Sequence, residues 1–132
     1  TVRLPGDGLQ TRSFQYVADL VRGLVALMNE GYDQPVNIGN PEEYTVKEFA
    51  VMVKEATGSP SQVVHLEATK DDPNKRRPDI SLAKEKLGWE PRVAVREGIE
   101  MTIKYFRQEL ERTGEITPTG PKASKPGTGK SA

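Results

Sequence analysis

The densest group of chemically capable side chains in this sequence is the run Asp71-Asp72-Pro73-Asn74-Lys75-Arg76-Arg77-Pro78-Asp79. A guanidinium presents its donors as a planar fork that matches a phosphate or a carboxylate, which makes Arg76 and Arg77 candidates for an anion site. Pro78 biases Arg77 toward extended backbone, and extended backbone sends Arg76 and Arg77 to opposite sides. One of them can then reach a cleft while the other faces water. A solvated loop with local ion pairs is the plainer reading of the same composition.

Arg12 stands between the turn Gly6-Asp7-Gly8 and the alternating Phe14-Gln15-Tyr16-Val17, where a strand end feeds a helix N-terminus. That is a second place for an anion. Asp19 falls in the first turn of the helix, where the helix dipole accounts for it. His65 lies among Val63, Val64 and Leu66 and reads as structural or exposed. Asp71 and Asp72 alone are a weak metal signal.

Composition removes other chemistries. The chain has 132 residues, 19 Lys and Arg, 19 Asp and Glu, one His and no Cys. Without Cys there is no disulfide, no thiolate nucleophile and no Cys-ligated zinc, and one His forbids a multi-His metal site within one chain. Balanced charge gives no general attraction to nucleic acid or anionic membrane, and scattered aromatics make no base-stacking platform. No apolar run approaches the roughly 18 residues that a membrane span needs. Gly6-Asp7-Gly8 lacks the strand–turn–helix setting of a dinucleotide fingerprint and reads as a turn.

The elements that must hold these residues are α/β in character. The first residues read as strand then turn. Val17, Leu20, Val21, Leu24, Val25 and Met28 have the spacing of an amphipathic helix. Gln34 to Ile38 reads as a strand closed by Gly39-Asn40-Pro41. Thr45-Val46-Lys47-Glu48 has the form of a capping box ahead of a helix that buries Val46, Phe49, Ala50 and Val53 and stops at Gly58. Gln62 to Leu66 reads as another strand, Glu67 to Pro78 as a loop, and Ile80 to Leu87 as two helical turns stopped by Gly88. A last helix, from about Val95 to Arg112, turns Ile99, Ile103, Phe106 and Leu110 inward behind a weak cap at Ala94. Trp89 is expected beneath the loop that carries Arg76. Two or three short strands make a sheet with little to close on, which points to a partner region outside these residues. Gly114 to Ala132 holds four Gly, three Pro, three Lys and three Thr in 19 residues, and is expected to be a disordered tail.

Three of these stretches, in order, resemble one family. Gly6-Asp7-Gly8-Leu9-Gln10-Thr11-Arg12-Ser13-Phe14-Gln15-Tyr16-Val17-Ala18-Asp19-Leu20 is similar to the segment that opens the C-terminal part of the extended short-chain dehydrogenase/reductases acting on nucleotide sugars. Asn37-Ile38-Gly39-Asn40-Pro41-Glu42-Glu43 resembles that family's strand-to-helix turn. Arg76-Arg77-Pro78-Asp79-Ile80 followed by Leu87-Gly88-Trp89-Glu90-Pro91 is similar to its end. The fuller wording of QTRSFQYV, NIGNPEEYT and DDPNKRRPDI resembles the UDP-glucuronate decarboxylase branch, whereas the epimerase and dehydratase branches share a sparser skeleton.

The resemblance implies that residues 1–113 are the C-terminal substrate-binding lobe of a Rossmann-type enzyme, with 114–132 as its tail. It implies UDP-glucuronate as substrate, UDP-xylose and carbon dioxide as products, and tightly bound NAD. It further implies that Arg12 binds the nucleotide diphosphate, that Arg76 reaches the diphosphate or the hexuronate beside the reacting carboxylate, and that Asp79 helps hold the nucleotide end. A homodimer is expected for the full-length protein, cytoplasmic or Golgi-anchored according to the sequence before Thr1. Two departures stand beside this. The family's Tyr before Gly-Asp-Gly is replaced by Arg3-Leu4-Pro5. Its glycine-rich NAD turn and Tyr-x-x-x-Lys pair are expected upstream, since Tyr16, Tyr32, Tyr44 and Tyr105 are followed four residues later by Leu20, Val36, Glu48 and Glu109. The chain alone is therefore expected to be inactive. Another epimerase or dehydratase of the family, or a non-catalytic binding module, is the alternative.

Overall fold

A computed structural model describes residues 1–117 of the chain. Its elements run β1 (Val2–Pro5), β2 (Thr11–Ser13), α1 (Val17–Glu30), β3 (Glu43–Thr45), α2 (Val46–Thr57), β4 (Val63–Leu66), α3 (Ser81–Leu87) and α4 (Val95–Thr113). The strands form two separate pairs. β1 lies parallel to β4 with Val2 opposite Val63 and Pro5 opposite Leu66, and β2 lies antiparallel to β3 with Arg12 opposite Tyr44.

Local chemistry accounts for most of the boundaries. Thr45 Oγ1 accepts from the Glu48 N–H at 3.0 Å while a Glu48 carboxylate oxygen accepts from the Thr45 N–H at 2.7 Å, the reciprocal bonds expected of a capping box. Gly31, Gly58, Gly88 and Gly114 close their helices in the left-handed conformation. Ala94 precedes α4 without a side-chain cap, as its lack of a polar side chain requires. Gly6 and Gly8 take positive φ in the turn after β1, and Leu9 N–H donates to Asp7 Oδ1 at 2.9 Å.

Two small cores result. Met52, Val95 and Ile99 pack with Phe14, Tyr44, Phe49, Val53 and Ile103 between α2 and α4, with the Phe14 and Phe49 rings stacked. Ile80, Ala83 and Trp89 pack with Val36, Ile38 and Leu87 between α1 and α3. Phe106, expected inward, is 56% exposed.

Three further expectations need correcting. Gln34 to Ile38 forms no strand, because its backbone meets no neighbouring strand among the described residues; Val36 and Ile38 still pack beside Trp89. Trp89 sits between α1 and α3 rather than beneath the Arg76 loop, and its indole N–H donates to the Asp19 carbonyl at 3.0 Å. The apolar stripe of α1 does not face the core. Asp19 and Gly23 are the buried residues of that helix, while Val17, Val21, Leu24, Val25 and Met28 lie about half a turn round and are exposed. Of the expected tail, Gly114 to Ile116 close α4 through bonds to Leu110 and Glu111, and residues 118–132 lie outside the described residues.

Candidate functional site

The site is built where β2 meets the loop after β4. Thr11 N–H donates to the Asn74 carbonyl at 2.8 Å, Thr11 and Lys75 form a parallel bridge, and Ser13 Oγ donates to the Arg76 carbonyl at 3.4 Å. By that register Arg12 and Arg76 are neighbours, although 64 positions separate them in sequence. Within the loop that lacked any periodicity, Asn74 to Arg76 thus lie along β2.

Arg12 is half-buried and well tied. Its Nη1 donates to the carbonyls of Thr11 at 2.6 Å and Pro73 at 2.8 Å, and Nη2 pairs with Asp72 Oδ1. Gln10 Nε2 reaches the other Asp72 oxygen at 3.5 Å and the Pro5 carbonyl at 3.2 Å. Arg76 is exposed, and its guanidinium has no partner among the described residues. Arg77 borders a shallow hollow of about 520 Å³ with Pro41, Pro78, Asp79, Ile80, Ser81 and Lys84; Arg76 does not border it.

Asp79 stands apart from the Arg12 cluster. Its Oδ1 accepts from the Ser81 N–H at 2.9 Å and the Ser81 hydroxyl at 2.6 Å in the turn that starts α3. Those bonds, aided by the charge of Arg77, hold its carboxyl below the usual range. His65 is exposed on β4 with Nδ1 2.8 Å from the Gly6 carbonyl.

The residue whose importance the sequence hid is Asp19. It is 3% exposed, and its Oδ2 accepts from the backbone N–H groups of Arg92 and Val93 at 3.1 and 3.0 Å, while Oδ1 pairs with Arg22 at 3.0 Å. Burial opposes its ionisation, but the Val93, Arg22 and Arg92 bonds outweigh burial and lower its pKa. Its place in the first turn of α1 is as expected, and the helix dipole is supplemented by these bonds. Arg22 also donates to the Glu90 carbonyl at 2.5 Å and lies 5.6 Å from the Trp89 ring centre. This knot fastens the turn before α4 to α1, directly after the β2 strand that carries Arg12.

A second, larger groove of about 910 Å³ runs between α2 and α4, lined by Phe14, Phe49, Ile99, Ile103 and Phe106 among others. Its apolar walls suit neither a diphosphate nor a carboxylate.

Residues 1–102 match the family described as GDP-mannose 4,6 dehydratase. The chain belongs to that family. Within it the chain is 56% identical over 106 residues to UDP-glucuronic acid decarboxylase 1 of Danio rerio, and 51% identical over 105 residues to UDP-glucuronic acid decarboxylase 1 of Arabidopsis thaliana. Each match covers 80% of this chain but 25% and 24% of the relative, so the chain spans about a quarter of the length of these curated relatives. Among solved structures, the UDP-glucose 4-epimerase of Thermotoga maritima with UDP-glucose is 40% identical with a TM-score of 0.79, covering 83% of this chain and 36% of that one. MoeE5 in complex with UDP-glucuronic acid and NAD is 30% identical with a TM-score of 0.74, covering 83% and 37%. This GDP-mannose 4,6-dehydratase family member has the α/β fold of the C-terminal part of extended short-chain dehydrogenase/reductases, as its motifs implied.

Proposed function

We propose that the chain is the nucleotide-sugar-binding lobe of a UDP-glucuronate decarboxylase, an NAD-dependent carboxy-lyase. The observation that carries this reading is the seam between β2 and the loop after β4. It sets Arg12 and Arg76 side by side, one fixed and half-buried, the other exposed and unpartnered among the described residues. A fixed, ion-paired guanidinium beside an open one suits a ligand that carries a diphosphate and a sugar carboxylate. On this reading Arg12 holds the diphosphate, Arg76 reaches the diphosphate or the hexuronate carboxylate, and Asp79 lies toward the nucleotide end. The named decarboxylases supply the choice of substrate.

Two sequence signatures of an NAD cradle are not found among the described residues. Gly6 and Gly8 shape a turn that leads into β2 rather than opening a helix, and no Tyr in the sequence has Lys four positions later. NAD is then held by the part of the enzyme that the relatives carry in addition. When bound it supplies reversible hydride exchange at the sugar, so that UDP-glucuronate ends as UDP-xylose and carbon dioxide with no net redox change. This chain's own contribution is orientation and charge: it would fix the diphosphate so that the sugar is held in one pose for hydride exchange.

The α1 helix supports the two-lobe reading. It buries Asp19 and Gly23 on one side and leaves Leu24 47% and Met28 80% exposed on the other, with Val17, Val21 and Val25 between those values. Such a stripe is the surface expected to pack on the additional nucleotide-binding sheet of the whole enzyme. The 40% identity to a UDP-glucose 4-epimerase favours one second reading, in which the same lobe serves C4 epimerisation.

The 132-residue chain incubated with NAD and UDP-glucuronate is expected to release no carbon dioxide and form no UDP-xylose. Measurable UDP-xylose would overturn the lobe reading. The enzyme completed with its nucleotide-binding region should release carbon dioxide, whereas UDP-galacturonate without carbon dioxide would favour the epimerase.

A further inference from the structure

We infer that Asp72 is a positioning residue for the anion site: its carboxylate fixes the plane of the Arg12 guanidinium while leaving part of that fork open for a diphosphate. The inference rests on the nucleotide-sugar reading only for the identity of the anion.

A guanidinium has five N–H groups. Arg12 uses two of them on the carbonyls of Thr11 and Pro73 through Nη1, and one on Asp72 through Nη2. Two, the Nε–H and the second Nη2–H, have no partner among the described residues and are left for a phosphate. The three existing bonds come from β2 itself and from two consecutive residues of the loop, so they fix the plane of the group as well as its place. A free arginine side chain loses much rotamer freedom when it meets a ligand. Arg12 has already given up that freedom.

The loop is shaped to deliver this carboxylate. Asp71 takes a positive φ of 66°, a left-handed turn that Asp tolerates, and Pro73 stiffens the chain just beyond. Between them Asp72 points back to β2, where Gln10 Nε2 reaches its second oxygen. Asn74 and Arg76 then bond to Thr11 and Ser13 in turn. Asp72 is therefore the first of a series of ties that ends at Arg76. Electrostatics gives the two arginines different tasks. The Arg12–Asp72 pair is neutral as a unit and supplies geometry, and Arg76, unpartnered among the described residues, supplies the net positive charge a dianionic diphosphate requires.

The opposite role for Asp72 is that of a competitor, a resident anion that UDP must displace. The two are separated by nitrogen-15 spectroscopy of the arginine side chains in the 132-residue chain, titrated with UDP, in the wild type, Asp72→Ala and Asp72→Asn. Hindered rotation of the Arg12 guanidinium is expected in the wild type and shows as separate Nη signals. Asp72→Ala should merge those signals and weaken UDP binding roughly tenfold. Asp72→Asn keeps a hydrogen-bond acceptor and should stay within about threefold of wild type. A purely structural loss would show in the backbone amide spectrum and would not separate the two variants in this way. Unchanged or tighter UDP binding in Asp72→Ala overturns the inference and makes Asp72 a competitor. Free rotation of Arg12 in the wild type overturns it as well. A hindered, Asp72-dependent Arg12 with no response to UDP leaves the clamp standing and removes the nucleotide reading.

Discussion

A carboxylate taken out of water needs compensation, and Asp19 receives it from two backbone N–H groups and one guanidinium. Removing those acceptor oxygens strands Arg92 N–H, Val93 N–H and part of Arg22, so Asp19→Ala should destabilise the chain by about 3 kcal/mol in urea unfolding at neutral pH. The pH dependence has a definite sign. The folded-state pKa lies below the ordinary 3.8, so Asp19 stabilises the fold fully above that value. Its contribution is lost as pH falls through the lower, folded-state pKa. The stability gap between wild type and Asp19→Ala should therefore narrow in strong acid. A gap that stays constant from neutrality to about pH 2 would mean that these bonds do not depend on the charge.

At the scale of elements, the close approach of α1 to the Trp89 cluster depends on one missing side chain. A Cβ at Gly23 would lie 2.8 and 2.9 Å from two Ile38 carbons and 3.1 Å from the Trp89 indole nitrogen. Helix propensity alone favours Ala over Gly by about 1 kcal/mol in a helix interior. Here the overlap should win, and Gly23→Ala should lower stability by roughly 1–2 kcal/mol. Trp89→Ala, which empties the centre of the same cluster, should cost about 3–5 kcal/mol. A thermal shift near zero for both variants would mean that α1 and α3 do not pack as described.

The same elements show what a sequence can and cannot disclose. The capping box, the stops at Gly58 and Gly88 and the extents of α2, α3 and α4 follow from bonds between residues a few positions apart, and those patterns were legible. The β2–β3 pair was not, because Glu43-Tyr44-Thr45 is short and polar and gains its strand form from Arg12 and its neighbours. Gln34 to Ile38 has the composition of a strand but meets no partner strand among the described residues. Arg12 and Arg76 could be singled out by charge and context, whereas their adjacency depends on bonds across more than 60 residues. The work of Asp19 was hidden for the same reason: its partners Arg92 and Val93 lie at the far end of the fold.

For the whole molecule, the described residues have an outward apolar stripe on α1, two small cores and two separate strand pairs, the features on which the proposed lobe reading draws. On the proposed reading its polar seam and its apolar stripe serve different partners, the first a ligand and the second protein. The central claim is that this lobe meets a nucleotide sugar at the seam between β2 and the Arg76 loop. The most direct test is a backbone amide titration of the 132-residue chain with UDP-glucuronate. Shifts confined to Thr11–Ser13 and the Asp72–Arg77 segment are the predicted result. Shifts gathered in the apolar groove between α2 and α4, or none at saturating ligand in a folded chain, would contradict it.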